Sequence, residues 1–480
     1  MQKRLIIISV ILLFTLGSCK KWLEITQEDR VMEKELFNSK SGFMTALNGV
    51  YVEMNSEKLY GGKMMVDGFD VMAQYYLTSA YHAYIDYAQY KSDQEVFKAT
   101  FDQIWIRFYE LIANCNTIIE QCDSKKELLG ENYYNIIKGE AIGLRAFFHF
   151  ELLKIFGPVY SQNSEMVSIP YKQTSNLIIS PLLKASEVKS LIMRDFAEAE
   201  SLLAKSDPII TEGVLFSEDP LGAPNDFRYR SVRLNFYAIQ ALMARASLYF
   251  GDTQNALKYA GNLIQELHVD KQWFPFILNS ANPQTDDRVY QSELLFAMYN
   301  TKRTDIFKNY FINNLSDLGV LRMDETMLSN LFEPGDYRFR YQWEFLKNPE
   351  EKQQLYFIKY KDVDASTLKT YRYLVPMIRI IEMYFIMAEV EQDAGKALAY
   401  LNKARNARNL PDLSGVASIN EEIEKEYKRE FAGEGQLFFY YKRLNKQQIP
   451  DGNNPGAKIT MNTDKYVLSL PDSKKTTGKF

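Results

Sequence analysis

Two stretches of this chain have the pattern of paired antiparallel helices, and that pattern restricts the fold more than any other feature. Leu234 to Phe250 and Thr253 to Leu267 form one pair across Gly251-Asp252; Pro376 to Asp393 and Lys396 to Arg408 form the other. Apolar residues recur at three- and four-residue steps, the helical period. Small residues stand where helices would touch: Ala246, Gly251, Ala256 and Ala260 in the first pair, Ala388, Ala394, Gly395 and Ala397 in the second. Such hairpins look like tetratricopeptide units. One hairpin cannot bury its apolar face alone, so several are expected side by side.

Three further helices follow from the same period. Trp105, Phe108, Tyr109, Ile112, Cys115, Ile118 and Ile119 mark one face; Glu140 to Phe156 forms a second helix, stopped by Gly157-Pro158; Val188 to Leu203 forms a third, closed before Pro208. Ala281 to Asp287 and Glu333 to Asp336 read as loops, and Glu293 to Tyr299 as a short strand. The expected fold is therefore mostly α: tetratricopeptide-like hairpins packed side by side, a loop-rich second layer and minor short β-strands.

The N-terminus carries an export signal. Lys3 and Arg4 precede an apolar run from Leu5 to Leu16, then Gly17, Ser18 and Cys19. The run is shorter than the roughly 20 residues a bilayer span needs. Leu16-Gly17-Ser18-Cys19 looks like a bacterial lipobox, in which cleavage precedes the cysteine and its thiol takes a lipid. Cysteine is scarce, with three in 480 residues, yet one stands where lipidation needs it. Cys115 and Cys122 are about 10 Å apart along a helix, too far for a disulfide. Both are expected to be small buried hydrophobes.

Charge and motifs exclude several functions. The formal net charge is -4, with no basic tract, which argues against nucleic acid as a partner. Only His82, His149 and His268 occur, and none has metal-ligand spacing, so no metal and no cofactor are expected. There is no phosphate loop, GxSxG or HExxH. Asp451 to Gly456 has the look of a calcium loop, but Asn462 stands where the last acidic ligand belongs, so a turn is expected. No catalytic residue is assigned. Arg145, Arg379, Glu382 and Glu389 lie within apolar helices, where charges must be paired, so internal ion pairs are expected.

Aromatic residues make up 14% of the chain; most must be core, but the excess of Tyr leaves room for exposed platforms, and Tyr crowds between Gly61 and Lys91. Sugar rings stack their C–H faces on aromatic rings, while their hydroxyls need polar partners. Asp67, Tyr75, Tyr81 and Tyr84 are the candidate ligand contacts in this region.

Taken in order, several segments resemble the SusD/RagB family of outer-membrane nutrient-uptake lipoproteins. They are Cys19-Lys-Lys-Trp22-Leu23; Phe101-Asp-Gln-Ile-Trp105; Gly139-Glu140-Ala141 with Leu144-Arg145-Ala146-Phe147-Phe148 and Phe156-Gly157-Pro158; Pro376-Met-Ile-Arg379 with Glu382; and Glu430-Phe431-Ala432-Gly433-Glu434-Gly435. Gln436 follows where family members often place an Arg soon after, and the nearest Arg is Arg443.

The resemblance implies a signal peptide at 1–18 and one SusD-like unit at 19–480, with an N-terminal part at 19–215 and a C-terminal part at 216–480. It implies a non-enzymatic surface protein of the outer membrane, lipid-anchored through Cys19. Such a protein binds a glycan and passes it to a SusC-like TonB-dependent transporter. It adds mid-chain contacts, here Trp273 and Tyr299. An oligopeptide binder of the same uptake system is the alternative, then a glycan-active enzyme or a helical-repeat scaffold. Cells fed labelled palmitate should incorporate it into the wild type, and Cys19→Ala should lose the label; a labelled variant would refute the anchor.

Overall fold

A computed structural model describes residues 35–176, 178–215, 225–279, 286–363 and 369–471. Cys19, and most of the loop expected at Ala281 to Asp287, lie outside these residues. The chain is mostly helical. Helices α1 (Lys40–Met54), α2 (Glu95–Ser124), α3 (Lys126–Phe156), α4 (Ala185–Ser206), α5 (Phe236–Tyr249), α6 (Thr253–Ile264), α7 (Arg303–Tyr310), α8 (Ile380–Val390), α9 (Ala394–Asn406), α10 (Ile419–Glu430) and α11 (Leu437–Arg443) carry it. Helices α2 to α6 and α8 to α10 pack side by side as hairpins.

Local chemistry fixes the hairpins. Asp252 accepts the N–H of Asn255 at 3.1 Å and starts α6; Asp393 accepts that of Lys396 at 2.9 Å and starts α9. Such caps contribute about 1 kcal/mol each. Small residues then set the approach of neighbours. A Cβ at Gly143 would stand 2.5 Å from the Ile239 Cδ1, so glycine lets α3 cross α5 closely here without displacing that side chain. Gly261 of α6 faces Met387 of α8, joining the two hairpins.

Two boundaries differ from the sequence expectation. Pro376 to Arg379 belong to a strand rather than to the start of a helix. Strand β4 (Leu374–Arg379) pairs antiparallel with β1 (Leu294–Tyr299), Pro376 opposite Ala297, and α8 begins only at Ile380. A two-stranded sheet tolerates Pro because each strand keeps a free edge. The helix expected from Glu140 starts earlier, at Lys126, with non-helical backbone at Gly130. A second hairpin joins β2 (Trp343–Lys347) to β3 (Gln353–Phe357). The third, β5 (Gln448–Pro450) with β6 (Lys458–Thr460), encloses Asp451 to Gly456 as a turn.

The charges placed within apolar helices are paired. Arg145 meets Asp195 at 2.7 Å, Arg245 meets Glu382 at 2.6 Å, and Arg443 meets Glu389 at 2.6 Å. The largest cluster centres on Glu430, which holds Arg338, Arg379 and Arg408, all fully buried. Arg408 also pairs with Glu293 at 2.7 Å, and Arg379 with Glu434 at 2.7 Å. His149 is core, stacked on Tyr171 with ring centroids 3.8 Å apart. Its Nδ1 faces the Arg145 carbonyl and its Nε2 accepts the Lys172 N–H, a neutral arrangement; burial pushes its pKa down to about 3. Cys115 and Cys122 are buried and unbridged, their thiols pushed up to about 12 by burial.

Burial alone would raise the Glu430 carboxyl. The guanidiniums of Arg408, Arg379 and Arg338 outweigh it and hold the group well below the usual carboxylate range. A carboxyl depressed in the folded state adds stability that is complete above its unfolded pKa. That stability is lost as pH falls towards the folded value. Urea unfolding at pH 7 should show Glu430→Gln less stable by about 3–5 kcal/mol. The variant should also lose less stability than wild type as pH drops below that of free glutamate. Equal stability at pH 7 would contradict this account.

Candidate ligand-binding surface

The loop region after α1 is anchored before it is displayed. Gly433 and Gly435 both have positive φ, 79° and 68°, which glycine adopts without strain. That backbone turns both N–H groups onto the Asp70 carboxylate, at 2.6 and 3.0 Å. A Cβ at Gly435 would lie 2.1 Å from the Met64 carbonyl oxygen, so only glycine allows the backbones to approach this closely here. Burial pushes the Asp70 carboxyl up, and the two N–H groups oppose that shift.

From this anchor the candidate contacts diverge. Asp67 is buried and paired with Lys63 at 2.5 Å; burial raises its carboxyl and the Lys63 ammonium opposes the rise. That ammonium also lies over the rings of Tyr84 and Tyr87, at 5.5 and 5.2 Å. Tyr75 is fully buried and donates its hydroxyl to the Lys428 carbonyl at 2.9 Å. Asp67 and Tyr75 therefore present no surface to a ligand, and the sequence expectation is corrected for both. Each serves to hold the loop.

Tyr81 points the other way and is 85% exposed. Its strap is fixed by backbone bonds to residues 318–322. Leu77 N–H donates to Arg322 O and Ala83 N–H to Leu318 O, each at 2.8 Å; His82 Nε2 meets Val320 O at 3.2 Å. Tyr84 is half-buried, 6.2 Å from Tyr310 between ring centroids.

Tyr299 ends β1 and is 51% exposed. Its ring meets Tyr373 edge-on at 5.4 Å, and its carbonyl accepts from Asn55 at 3.1 Å. The Arg372 guanidinium lies 5.2 Å from the Tyr373 ring centroid and binds Asp362 through two bonds of 2.8 and 2.7 Å. Helix α7 connects this group to the Tyr81 loop. Arg303, at its start, donates to the Tyr371 carbonyl at 3.0 Å; Tyr310, at its end, faces Tyr84. The seven-residue step between them is about 10 Å. Two exposed tyrosines thus stand beyond opposite ends of one short helix.

Trp273 lies elsewhere. Its ring packs against Gly213 and Tyr237, under the Lys271 ammonium at 4.3 Å. Tyr373, Arg372 and Asp362 escaped the sequence reading, although Tyr371-Arg372-Tyr373 directly before the Pro376 block was the available signal. Among the described residues no group of three or more His, Cys, Asp or Glu side chains is placed to hold a metal ion, and no helix is long and apolar enough to cross a membrane.

Comparison with known proteins agrees with this architecture. Residues 21–207 match the SusD-like family described as starch-binding, associating with outer membrane, and residues 278–479 match the SusD family. The chain belongs to the SusD/RagB family. It is 21% identical to the SusD-like protein P38 of Formosa agariphila, over 92% of this chain and 91% of that protein. A SusD superfamily protein of Bacteroides thetaiotaomicron superposes with a TM-score of 0.70 at 20% identity, covering 92% of this chain and 98% of the other. Surface glycan-binding protein A of Bacteroides uniformis gives 0.66 at 15% identity, covering 91% and 97%.

The divergent roles of the tyrosines predict different responses. Tyr75→Ala should lower stability in urea unfolding by about 3 kcal/mol or more, as a large core truncation does. Tyr81→Ala should stay within about 0.5 kcal/mol of wild type. Equal losses would place the two rings in the same environment and contradict the assignment.

Proposed function

We propose that this chain is a surface glycan-binding lipoprotein, held at the outer membrane by a lipid on Cys19, that delivers its ligand to a SusC-like TonB-dependent transporter. It acts without catalysis: it binds, presents and releases. The leader is residues 1–18. The working unit is 19–480, with an N-terminal part at 19–215 and a C-terminal part at 216–480. Family membership supports the system, and a relative in fold named as a surface glycan-binding protein supports the ligand class.

The observation that carries the ligand reading is the pair of exposed aromatic platforms, Tyr81 and Tyr299, at the two ends of α7. A chain of sugars can lay one ring on each, with its hydroxyls meeting the Arg372–Asp362 pair beside Tyr373. Rigid aromatics contribute large contact area at small entropic cost. Tyr81, Tyr84 and Tyr299 remain the assigned contacts.

Isothermal titration against a panel of oligosaccharides tests this. One glycan class should bind, and Tyr81→Ala and Tyr299→Ala should each raise its Kd about tenfold, roughly 1.4 kcal/mol. No binding to any glycan, together with tight peptide binding, would overturn the reading. Cleavage of a bound glycan would replace it with an enzymatic one.

A further inference from the structure

Helices α3, α5, α8 and α11 converge on a cavity of about 40 Å³. Phe150, Leu248 and Phe439 form its apolar walls, but much of the remaining lining is charged. Lys154, Arg245 and Arg443 reach it from three different helices, and Glu382 from a fourth. Three cations gathered in the interior need an account, because protein screens like charges poorly.

The acids that pair with these cations are already committed. Glu382 accepts from Arg245 Nε and Nη2 at 2.7 and 2.6 Å. Glu389 accepts from both terminal nitrogens of Arg443 at 2.6 and 2.8 Å, and Glu151 holds Lys154 at 2.7 Å. None of these bonds uses Arg245 Nη1 or Arg443 Nε. One more cation stands beside Arg443 in the sequence of α11. Lys442 is fully buried and donates to the carbonyls of Lys154, Ile155 and Gly157 at 2.7, 3.3 and 2.8 Å. Burial and the Lys154 charge push its pKa down, yet three acceptors for three protons fit the ammonium form. Four cations, Lys154, Lys442, Arg245 and Arg443, thus stand against the three carboxylates Glu151, Glu382 and Glu389.

Neutral donors complete the lining. Gln436 contributes an amide, and Tyr249 a hydroxyl. Tyr249 is only 6% exposed, and its hydroxyl has no hydrogen-bond partner among the described residues. A buried hydroxyl is costly to leave unmatched, and this one belongs to a cavity ringed by positive charge. We propose that the cavity is a binding site for one small monovalent anion of chloride size, held by Arg245, Arg443, Lys154 and the Tyr249 hydroxyl. The volume has room for about three water-sized groups, so a halide fits and a bulky organic anion does not. The sign of the excess charge selects an anion, and its size of one matches a single negative charge. Bound there, the ion would tie α11, which follows the Gly433 and Gly435 turn, to α3 and α5.

Two readings on the full chain test this. Crystals grown in sodium gluconate and soaked in bromide should show an anomalous peak within hydrogen-bond distance of the Tyr249 hydroxyl and the Arg245 guanidinium. Thermal unfolding is then compared in sodium chloride and sodium gluconate at equal ionic strength, so that general screening is shared. Chloride should raise the midpoint by several degrees, as a ligand of the folded state alone does. Tyr249→Phe removes the unmatched hydroxyl, so in gluconate it should unfold no lower than wild type. Its gain from chloride should fall to about half or less of the wild-type gain. Water alone in the cavity after the bromide soak would overturn the proposal. So would equal wild-type midpoints in the two salts, or the same chloride gain in wild type and Tyr249→Phe. Both wild-type readings decide the matter even if the variant fails to fold.

Discussion

The Glu430 carboxylate is the constraint on which the remaining structure rests. Three guanidiniums reach it from separate parts of the chain. Arg338 comes from the short helix Tyr337–Gln342 before β2, Arg379 from the end of β4, and Arg408 from just beyond α9. None is exposed to water. Taking so many charges out of solvent is tolerable only if each is met by an opposite charge or a hydrogen bond. The cluster therefore accepts one arrangement of strand, turn and helix hairpin. A shift of any one part would leave a bare charge in the core. Residues 433–435 follow Glu430 directly and carry the same order outward to Asp70, and so to the loop that displays Tyr81.

This chain of dependence divides the molecule by task. The helical layer buries apolar faces and supplies a rigid base. The loops supply surface, but they are not left loose. The Tyr81 strap is tied by backbone bonds to residues 318–322, and the Tyr299 platform is tied by the β1–β4 pairing and by Asn55. A weak ligand such as a sugar gains from that arrangement, because little ordering remains to be done when it binds.

The helices were legible because burial repeats with their period. Each of α2, α4, α5, α6 and α9 shows its apolar stripe in the sequence, and α5, α6 and α9 start at recognisable caps, Asn235, Asp252 and Asp393. Pro376 was misleading for a physical reason. A short apolar run with Pro at its head suits the first turn of a helix as well as an edge strand, and periodicity cannot separate the two. Only pairing with β1, some eighty residues away, decides it. The charges inside helices announced their own pairing. Arg338 did not, since it follows a loop rather than an apolar stripe.

Within the candidate site the limit was sharper. Tyr75 and Tyr81 are six residues apart in an irregular segment with no period, so composition could mark the region as aromatic but could not tell inward from outward. The same segment also ties the two exposed surfaces together. Phe69 and Tyr87 from the loop pack on Phe101 of α2, at 5.8 and 6.3 Å between centroids, and Tyr87 stacks on Phe97 at 5.3 Å. One residue further along α2, Asp102 opens an apolar groove between α2 and the loop around residues 170–180. Aromatic rings packed at interior density do not slide past one another freely. The loop that carries Tyr81 and the apolar groove are thus held at a fixed spacing by one helix.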